Sequence, residues 1–332
     1  MTHKQRPLGS GFTAASTADE VLRGINLKGM NVIVTGGHAG LGLETTRALA
    51  RAGASVTVGS RDPARAARVI DGLERVDVDQ LDLAVPSSVD GFAARWLESG
   101  RPLHVLVNNA AALPPKTLTR EARGYELQFA TNHLGHFQLT LAMLPALRAA
   151  HGARVVNVSS GAQRFGEIRW DDPSFETGYA SSLAYAQSKK AGVLFAVELD
   201  RRYARDGIRG YAVHPGVVVG TTLNSSAGPE ALRAMGLVDE AGEPIIDPER
   251  GKKSIPQGAA TIVFAAASPL LANIGGVYLM DNDVAPLDDE QRTLTADSIP
   301  AEATTSSIAP QAARRLWEMS ARMLATKGSG SR

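Results

Sequence analysis

Cysteine is absent from this 332-residue sequence. Without a thiol, the chain can form no disulfide, no thiolate nucleophile and no cysteine-based zinc site. Net charge is nearly absent too, because 35 lysine and arginine residues stand against 34 aspartate and glutamate residues. This balance provides no field that would attract nucleic acid or anionic lipid.

The sequence also lacks a run of 18 apolar residues and an apolar segment close to Met1. It therefore predicts neither a membrane span nor a secretory signal, and a cytoplasmic protein is expected. Strand-like runs alternate with helical patterns from Met30 to Met280 without a break in composition. That alternation favours one α/β domain over two smaller domains.

A glycine-rich turn follows the apolar run Val32-Ile33-Val34 and precedes a helical segment over residues 43–51. Its sequence is Thr35-Gly36-Gly37-His38-Ala39-Gly40-Leu41-Gly42. In such a turn the glycines let the backbone approach a phosphate, and the helix N-terminus supplies free N–H groups and a favourable dipole. The pattern predicts a dinucleotide-binding site.

Tyr185 and Lys189 are one helical turn apart and share a helix face. An ammonium this close to a phenol is expected to lower the pKa of the phenol from its ordinary value of about 10. A dinucleotide site together with an activated tyrosine indicates hydride chemistry.

These two motifs resemble the T-G-x-x-x-G-x-G and Y-x-x-x-K motifs of the short-chain dehydrogenase/reductase family. The resemblance extends over residues 28–280. It implies a Rossmann-type, doubly wound and mainly parallel sheet of seven strands with helices on both faces. Other family landmarks occur in the family's order, namely Asn108-Asn109-Ala110, Asn132, Ser159-Ser160 and His214-Pro215-Gly216.

Two features depart from the usual family pattern. Ala111 replaces the last glycine of the family's N-N-A-G turn, and 25 residues separate Ser160 from Tyr185. The long separation resembles the branch that contains the retinol dehydrogenases, the WW-domain oxidoreductases and the light-dependent protochlorophyllide reductases.

The resemblance implies a catalytic tetrad of Asn132, Ser160, Tyr185 and Lys189. Tyr185 would exchange a proton with the substrate oxygen, which Ser160 would hold. Lys189 would bind the nicotinamide ribose and keep the tyrosine acidic, and Asn132 would hold a water that relays protons. Ser159 is the neighbouring candidate, but adjacent side chains on a strand face opposite ways, and alignment with the family favours Ser160.

The resemblance also implies which residues contact the cofactor. They are Gly36, His38, Gly40, Leu41, Gly42, Arg61, Asp82, Leu83, Asn109, Ala110, Tyr185, Lys189, Pro215, Gly216, Val218 and Thr221.

The end of the second strand decides between NAD and NADP. An NAD enzyme usually places a carboxylate there for the ribose 2′-hydroxyl. This chain has Ser60 at the strand tip, followed by Arg61, whose guanidinium matches a phosphate. Asp62 is expected to cap the next helix. The pattern favours NADP over NAD.

Metal ligation is not predicted. His133 and His136 share a helix face, but no carboxylate stands at ligand spacing from them. They are interpreted as packing or helix-surface residues.

The domain boundaries follow from these patterns. Residues 1–28 are predicted to form an arm with a short helix that begins after Thr17, residues 29–281 the Rossmann domain, and residues 282–332 an extension with a terminal helix over 310–324. Residues 121–150 are predicted to be a long helix with a break at Pro145. The family often dimerises through this helix and the helix over 182–205, so a homodimer is possible.

Two segments are predicted to enclose the substrate. Residues 161–184 are rich in aromatic side chains, including Phe165, Trp170, Phe175 and Tyr179. Residues 221–256 contain several glycines and prolines, as a substrate lid would.

The predicted function is NADP(H)-dependent interconversion of a carbonyl and an alcohol on a bulky apolar substrate. Two alternatives stay open. One is reduction of a C=C bond by an enzyme of the same family, and the other is a regulatory protein that binds NADP without turnover.

Overall fold

The computed structural model describes residues 4–221, 228–295 and 298–326. None of the helices in these residues has the length and apolar character of a membrane span. The strands are β1 Asn31–Thr35, β2 Ser55–Ser60, β3 Val76–Gln80, β4 Val105–Asn108, β5 Ala153–Val158, β6 Ile208–His214, β7 Val217–Val218, β8 Lys252–Lys253, β9 Val277–Met280 and β10 Asp283–Val284.

The helices connect these strands and cover both faces of the sheet. They are α1 Ala18–Leu22, α2 Gly40–Arg51, α3 Pro63–Ile70, α4 Pro86–Glu98, α5 Leu127–Phe129, α6 His136–Ala142, α7 Leu144–Ala149, α8 Ser181–Tyr203, α9 Pro229–Ala234, α10 Ile255–Ala267 and α11 Pro310–Ala325, with a π-helical turn at Ala130–Gly135 between α5 and α6.

Within the described residues, seven parallel strands form the main sheet, in the order β9-β6-β5-β4-β1-β2-β3. This confirms the predicted doubly wound, mainly parallel sheet. The two-residue strand β10 pairs antiparallel with β9 and adds an unpredicted eighth strand at one edge. Strands β7 and β8 form a separate parallel pair.

The central strands are buried on both faces, which is why they are apolar runs rather than alternating patterns. Val32 and Val34 of β1 belong to the apolar cluster that contains Leu49 of α2. Ile33 points the opposite way, into the cluster that contains Phe92 of α4. Strand order reverses at β1, between β2 and β4, and the carboxyl ends of strands at such a reversal form a crevice for ligands.

The N-terminal arm packs onto the domain. The predicted capping box is present, because the Thr17 hydroxyl accepts the Glu20 N–H and the Glu20 carboxylate accepts the Thr17 N–H at 2.8 Å. Val21 of α1 is buried in the core. Before α1, the carboxylate of Asp283 accepts the backbone N–H groups of residues 8–10 at 2.8–3.0 Å.

The prediction of a helix from residue 121 is wrong for its first turns. Helix α5 begins only after Glu126, whose buried carboxylate caps it by accepting the N–H groups of Gln128 and Phe129. Residues 120–126 form a turn that an isolated bridge between Arg120 and Glu126 closes. The predicted break is confirmed, because α6 ends before Met143 and Pro145 lies in the first turn of α7, where proline is tolerated.

The terminal helix α11 is docked on the domain, as the sequence predicts. Leu316, Met319 and Met323 are buried in a cluster that also contains residues of α8. Trp317 packs edge-on against Phe137 of α6, with ring centres 4.9 Å apart. The helix therefore covers the side of α8 that faces away from the sheet.

Candidate active site

The glycine turn lies at the carboxyl end of β1, where the strand order reverses. Gly36 and Gly40 have left-handed backbone, with φ of 66° and 48°, and a Cβ on Gly42 would clash with the Gly36 carbonyl. Ala39, at the N-cap of α2, has no side chain that could cap the helix. The first turn of α2 is therefore open to an anionic ligand.

A cavity of about 740 Å³ opens at this edge of the sheet, within the usual size range of ligand sites. Every residue that the sequence analysis assigned to the cofactor lines it, from Gly36 to Thr221, and so does Ser160. Asn132 lies outside the cavity lining. Ala111, which departs from the family pattern, lies on the wall.

At the tip of β2, positive charge faces the cavity and the nearby carboxylate is turned away. Asp62 accepts the Arg65 N–H at 3.0 Å and so caps α3, as predicted. Arg61 lines the cavity together with Arg65, which the sequence analysis missed although it follows Arg61 by one helical turn. Within the described residues, neither guanidinium has an ion-pair partner.

His38 lies in the glycine turn and lines the same part of the cavity. Its Nδ1 atom is buried and has no hydrogen-bond partner among the described residues. Burial, followed by the nearby charge of Arg65, lowers the pKa of the imidazole. His38 is therefore neutral near pH 7 and has an unused polar atom beside the two arginines.

Tyr185 and Lys189 face the cavity from the first turns of α8. The Lys189 ammonium lies 5.5 Å from the centre of the Tyr185 ring. It donates a hydrogen bond of 2.9 Å to the carbonyl of Val158 at the end of β5. The predicted pairing of the two side chains on one helix face is therefore present.

The prediction that Lys189 lowers the pKa of Tyr185 is wrong in this structure. Burial raises the pKa of the phenol to about 12, while a hydrogen bond with Ser160 acts in the opposite direction. Burial also lowers the pKa of the Lys189 ammonium to about 8. Because the ammonium bonds to the Val158 carbonyl, desolvation decides both shifts. At neutral pH the site holds a neutral phenol beside an ammonium.

The two serines after β5 point in different directions. The Ser159 hydroxyl is buried and donates to the Lys189 carbonyl at 2.8 Å. The Ser160 hydroxyl lies on the Tyr185 side of the cavity, where it acts to lower the pKa of the phenol, and it accepts the Ala162 N–H at 3.2 Å. Ser160 is thus the serine that shares the cavity with the phenol.

Asn132 lies in the π-helical turn, behind the cavity wall. Its side-chain oxygen accepts the Ala112 N–H at 2.8 Å, and its side-chain nitrogen donates to the Ser188 hydroxyl at 3.0 Å. Ser188 in turn donates to the carbonyl of Tyr185 at 2.8 Å. Asn132 therefore connects the loop after β4 to α8 and does not face the cavity itself.

The turn after β6 covers the cavity opposite α2. Gly216 has φ of 85°, and a Cβ there would lie 2.8 Å from the Cδ atom of Lys253. Lys253 is buried, and its ammonium donates to Asp281 at 2.6 Å. This buried lysine stem requires glycine at residue 216 and fixes the turn in place.

The aromatic residues of 161–184 do not form the described cavity wall, contrary to the prediction. Trp170 packs under the guanidinium of Arg315 in α11, and the guanidinium carbon lies 4.4 Å from the centre of the Trp170 ring. The Tyr179 hydroxyl donates to the carbonyl of Pro115 at 3.0 Å. Ile168 and Trp170 of this segment pack in the apolar cluster that contains Leu316 of α11.

The predicted lid over 221–256 is described only in part, because residues 222–227 lie outside the described residues. Val217, Val218 and Thr221 line the cavity. Leu232 of α9 instead packs on the small cluster of Val219, Leu237 and Val238. Closure over a ligand stays a prediction.

His133 and His136 are buried, and each bonds to the hydroxyl group of a different element. His133 Nε2 lies 2.7 Å from the Ser320 hydroxyl of α11, and His136 Nε2 lies 2.9 Å from the Thr35 hydroxyl. They are packing residues but not helix-surface residues. Among the described residues, no group of three or more His, Asp or Glu side chains is placed to hold a metal.

The residues present fit a nicotinamide dinucleotide. An uncapped helix N-terminus suits a pyrophosphate, and guanidinium groups without ion pairs suit a further phosphate. The phenol and ammonium are three strand spacings away, at the end of β5, which is about 14 Å from β2 in a parallel sheet. The charges and the separation match a molecule with phosphates at one end and a neutral reacting ring at the other.

Comparisons with known proteins agree with this geometry. A family model described as short chain dehydrogenase matches residues 30–231. A Streptomyces lividans protein named "Probable oxidoreductase" is 43% identical over 306 residues, which cover 90% of this chain and 98% of that protein. Retinol dehydrogenase 12 of Mus musculus is 36% identical over 264 residues, covering 77% of this chain and 79% of that protein.

Solved structures include a similar fold. An uncharacterized protein from Mycobacterium paratuberculosis superposes with a TM-score of 0.70 at 28% identity. The superposition covers 95% of this chain and 100% of that chain. The likeness therefore includes the arm and the C-terminal extension as well as the sheet.

We predict that Lys189 titrates near pH 8, because burial disfavours its charged form. NMR of the protein labelled with ¹³C-lysine should show one resonance with a midpoint about two units below the ordinary lysine value of about 10.4. That resonance should be missing from Lys189→Met. A Lys189 midpoint above pH 10 would show that the ammonium is solvated and that burial does not govern it.

Proposed function

The chain belongs to the short-chain dehydrogenase/reductase family, in the branch of the retinol dehydrogenases, and from that premise we propose an NADP(H)-dependent oxidoreductase that interconverts a carbonyl and an alcohol on a bulky apolar substrate. One observation carries the proposal. A single cavity joins Arg61 and Arg65 to the group of Ser160, Tyr185 and Lys189.

NADP is favoured over NAD by charge. The 2′-phosphate is the group that distinguishes the two cofactors, and Arg61 and Arg65 are available to bind it. Asp62, the carboxylate that could serve a 2′-hydroxyl, is occupied as the cap of α3. The N-terminus of α2 would hold the pyrophosphate, and Lys189 the nicotinamide ribose.

A bound NADPH supplies the hydride that reduces the carbonyl carbon. Tyr185 donates its phenolic proton to the substrate oxygen, which the Ser160 hydroxyl holds by a hydrogen bond. The neutral state of the phenol at pH 7 suits a proton donor. The Lys189 ammonium stabilises the phenolate that remains, and in alcohol oxidation the proton moves the other way.

The substrate is proposed to be apolar because one part of the cavity wall is apolar and is not assigned to the cofactor. Ala112, Leu113, Pro114, Leu127 and Val217 line it. Among the described residues of this wall, no charged side chain is present to bind a polar substrate. The name of the relative retinol dehydrogenase 12 refers to an apolar alcohol, which supports the same substrate class.

We propose that any homodimer uses a different face from the pair of helices expected by resemblance. Helix α11 packs along α8, and its buried residues Leu316, Met319 and Met323 occupy that side. A partner could reach α8 there only after α11 was displaced, which would expose this apolar surface to water.

We expect Tyr185→Phe to lower carbonyl reduction by about 10²–10⁴-fold, the usual loss for a general acid. NADPH oxidation should be followed with a panel of aldehydes, ketones and enones, and NADPH affinity by fluorescence should change little. Tyr179→Phe, which removes a hydroxyl outside the cavity, is the control. Normal turnover by Tyr185→Phe would exclude the phenol as proton donor, and an enone-only activity would favour C=C reduction.

Arg61→Ala should weaken NADPH binding about ten- to a hundredfold, because it removes a charge-assisted contact of about 1.5–3 kcal/mol. NADH binding should not change. Arg68 lies on α3 but does not line the cavity, so Arg68→Ala should bind both cofactors normally. An equal loss for both cofactors would contradict the assignment of the 2′-phosphate to Arg61.

Leu113→Ala should lower kcat/KM for bulky apolar carbonyls about ten- to a hundredfold, because about 1.5–3 kcal/mol of side-chain burial is at stake. A glyceraldehyde-sized substrate should be affected much less. Leu270 is about as exposed as Leu113 but lies outside the cavity, so Leu270→Ala is the control. A preference of the parent protein for small polar carbonyls would contradict the substrate class.

A further inference from the structure

His136 is buried at the start of α6 and has no part in the chemistry proposed above. Its ring bonds in two directions. Nδ1 lies 3.0 Å from the carbonyl oxygen of Asn132, and Nε2 lies 2.9 Å from the hydroxyl of Thr35. The imidazole therefore connects the π-helical turn to the first residue of the glycine motif.

The π-helical turn changes the backbone hydrogen bonding beside this carbonyl. In an α-helix, the backbone N–H of residue 136 would bond to the carbonyl of residue 132. Here the His136 N–H bonds to the His133 carbonyl instead. The α-helical bond from the His136 N–H to the Asn132 carbonyl is therefore not made, and the imidazole Nδ1 of the same residue bonds to that buried carbonyl.

The partners determine which ring nitrogen carries the proton. A carbonyl only accepts, so Nδ1 must be protonated and must donate to Asn132. Nε2 is then the acceptor, and the Thr35 hydroxyl donates to it. The oxygen of that hydroxyl accepts the N–H groups of Asn109 at 2.9 Å and Ala110 at 3.0 Å. Burial lowers the pKa of His136 to about 4, so the ring is neutral near pH 7.

The same set of hydrogen bonds continues to the helix that carries the phenol. From Asn132 the side-chain amide donates to the Ser188 hydroxyl, and Ser188 donates to the Tyr185 carbonyl. Two series of hydrogen bonds, joined through the covalent bonds of Asn132, therefore run from Asn109 and Ala110, which line the cofactor side of the cavity, to the backbone of Tyr185.

We propose that His136 is a positioning residue, which bonds to the Asn132 carbonyl, ties it to Thr35 and thereby fixes Tyr185 relative to the cofactor-binding turn. The inference rests on the proposed function, because the position of Tyr185 matters only if it transfers a proton. His136 touches neither the cavity nor the reacting atoms, so it acts through Asn132 and Thr35.

His133 provides a matched control on the same helix. It is also buried, also neutral near pH 7, with a pKa lowered to about 3 by burial, and also bonded to a hydroxyl. Its partner is Ser320 of α11, on the side away from the cavity. Removal of either imidazole should lower the melting temperature, but only removal of His136 should affect Tyr185.

The experiment compares the full-length protein with His136→Leu, His136→Asn, Thr35→Val, the double variant His136→Leu/Thr35→Val, and His133→Leu. With NADPH and an apolar aldehyde, His136→Leu should lower kcat at least tenfold and change the KM for the aldehyde less than threefold. The asparagine amide can still donate to the Asn132 carbonyl, so His136→Asn should recover part of the rate.

The double variant should lose less activity than the product of the two single losses, because both changes break the bond between His136 and Thr35. Thr35→Val also removes the acceptor of the Asn109 and Ala110 N–H groups, so it can add a loss of its own. A ¹³C-tyrosine NMR readout does not depend on turnover. The Tyr185 resonance should move in His136→Leu and Thr35→Val, and it should not move in His133→Leu.

Additive losses in the double variant, an unmoved Tyr185 resonance in His136→Leu, or equal effects of His133→Leu would overturn the positioning role. A wild-type protein that reduces no carbonyl would overturn the proposed function instead. In that case the tyrosine resonances alone would still decide whether His136 positions Tyr185.

Discussion

The ammonium of Lys189 is buried with one hydrogen bond, to the Val158 carbonyl, and the active-site side of the fold depends on keeping it there. A buried charge without an opposite charge is costly, and within the described residues no carboxylate pairs with this lysine. The lowered pKa of about 8 reports that cost. The packing around α8 must offset it, and Ser159 contributes by binding the Lys189 carbonyl.

Helix α8 is held from two sides. The sheet packs against one side, where Phe195 and Leu199 join the cluster that contains Ile33 of β1. The terminal helix α11 packs against the other side, where Leu316 meets Leu194. A helix enclosed in this way cannot shift without opening both contacts. The C-terminal extension therefore supports the site although none of its described residues lines the cavity.

The features that the sequence could predict are those that neighbouring residues determine. The parallel sheet follows from apolar runs alternating with helices, and the turn at Gly36 and the cap at Asp62 follow from local backbone chemistry. The late start of α5 was missed because the buried carboxylate of Glu126 caps it. Arg65 was missed although it follows Arg61 by only four residues. The outward packing of Trp170 was missed because it depends on Arg315, which is distant in sequence.

The pKa of Tyr185 shows most clearly what cannot be predicted from the spacing of residues in the sequence. One helical turn places Lys189 beside Tyr185, but the sign of the shift depends on the water excluded from both groups and on where the ammonium points. In this structure the charge is directed at the Val158 carbonyl, and the phenol keeps its proton. Under the proposed chemistry, a negative charge on the phenol oxygen arises only as the proton leaves. The Lys189 ammonium therefore attracts the phenol oxygen mainly in the transition state. This attraction speeds the reaction rather than stabilising the resting protein.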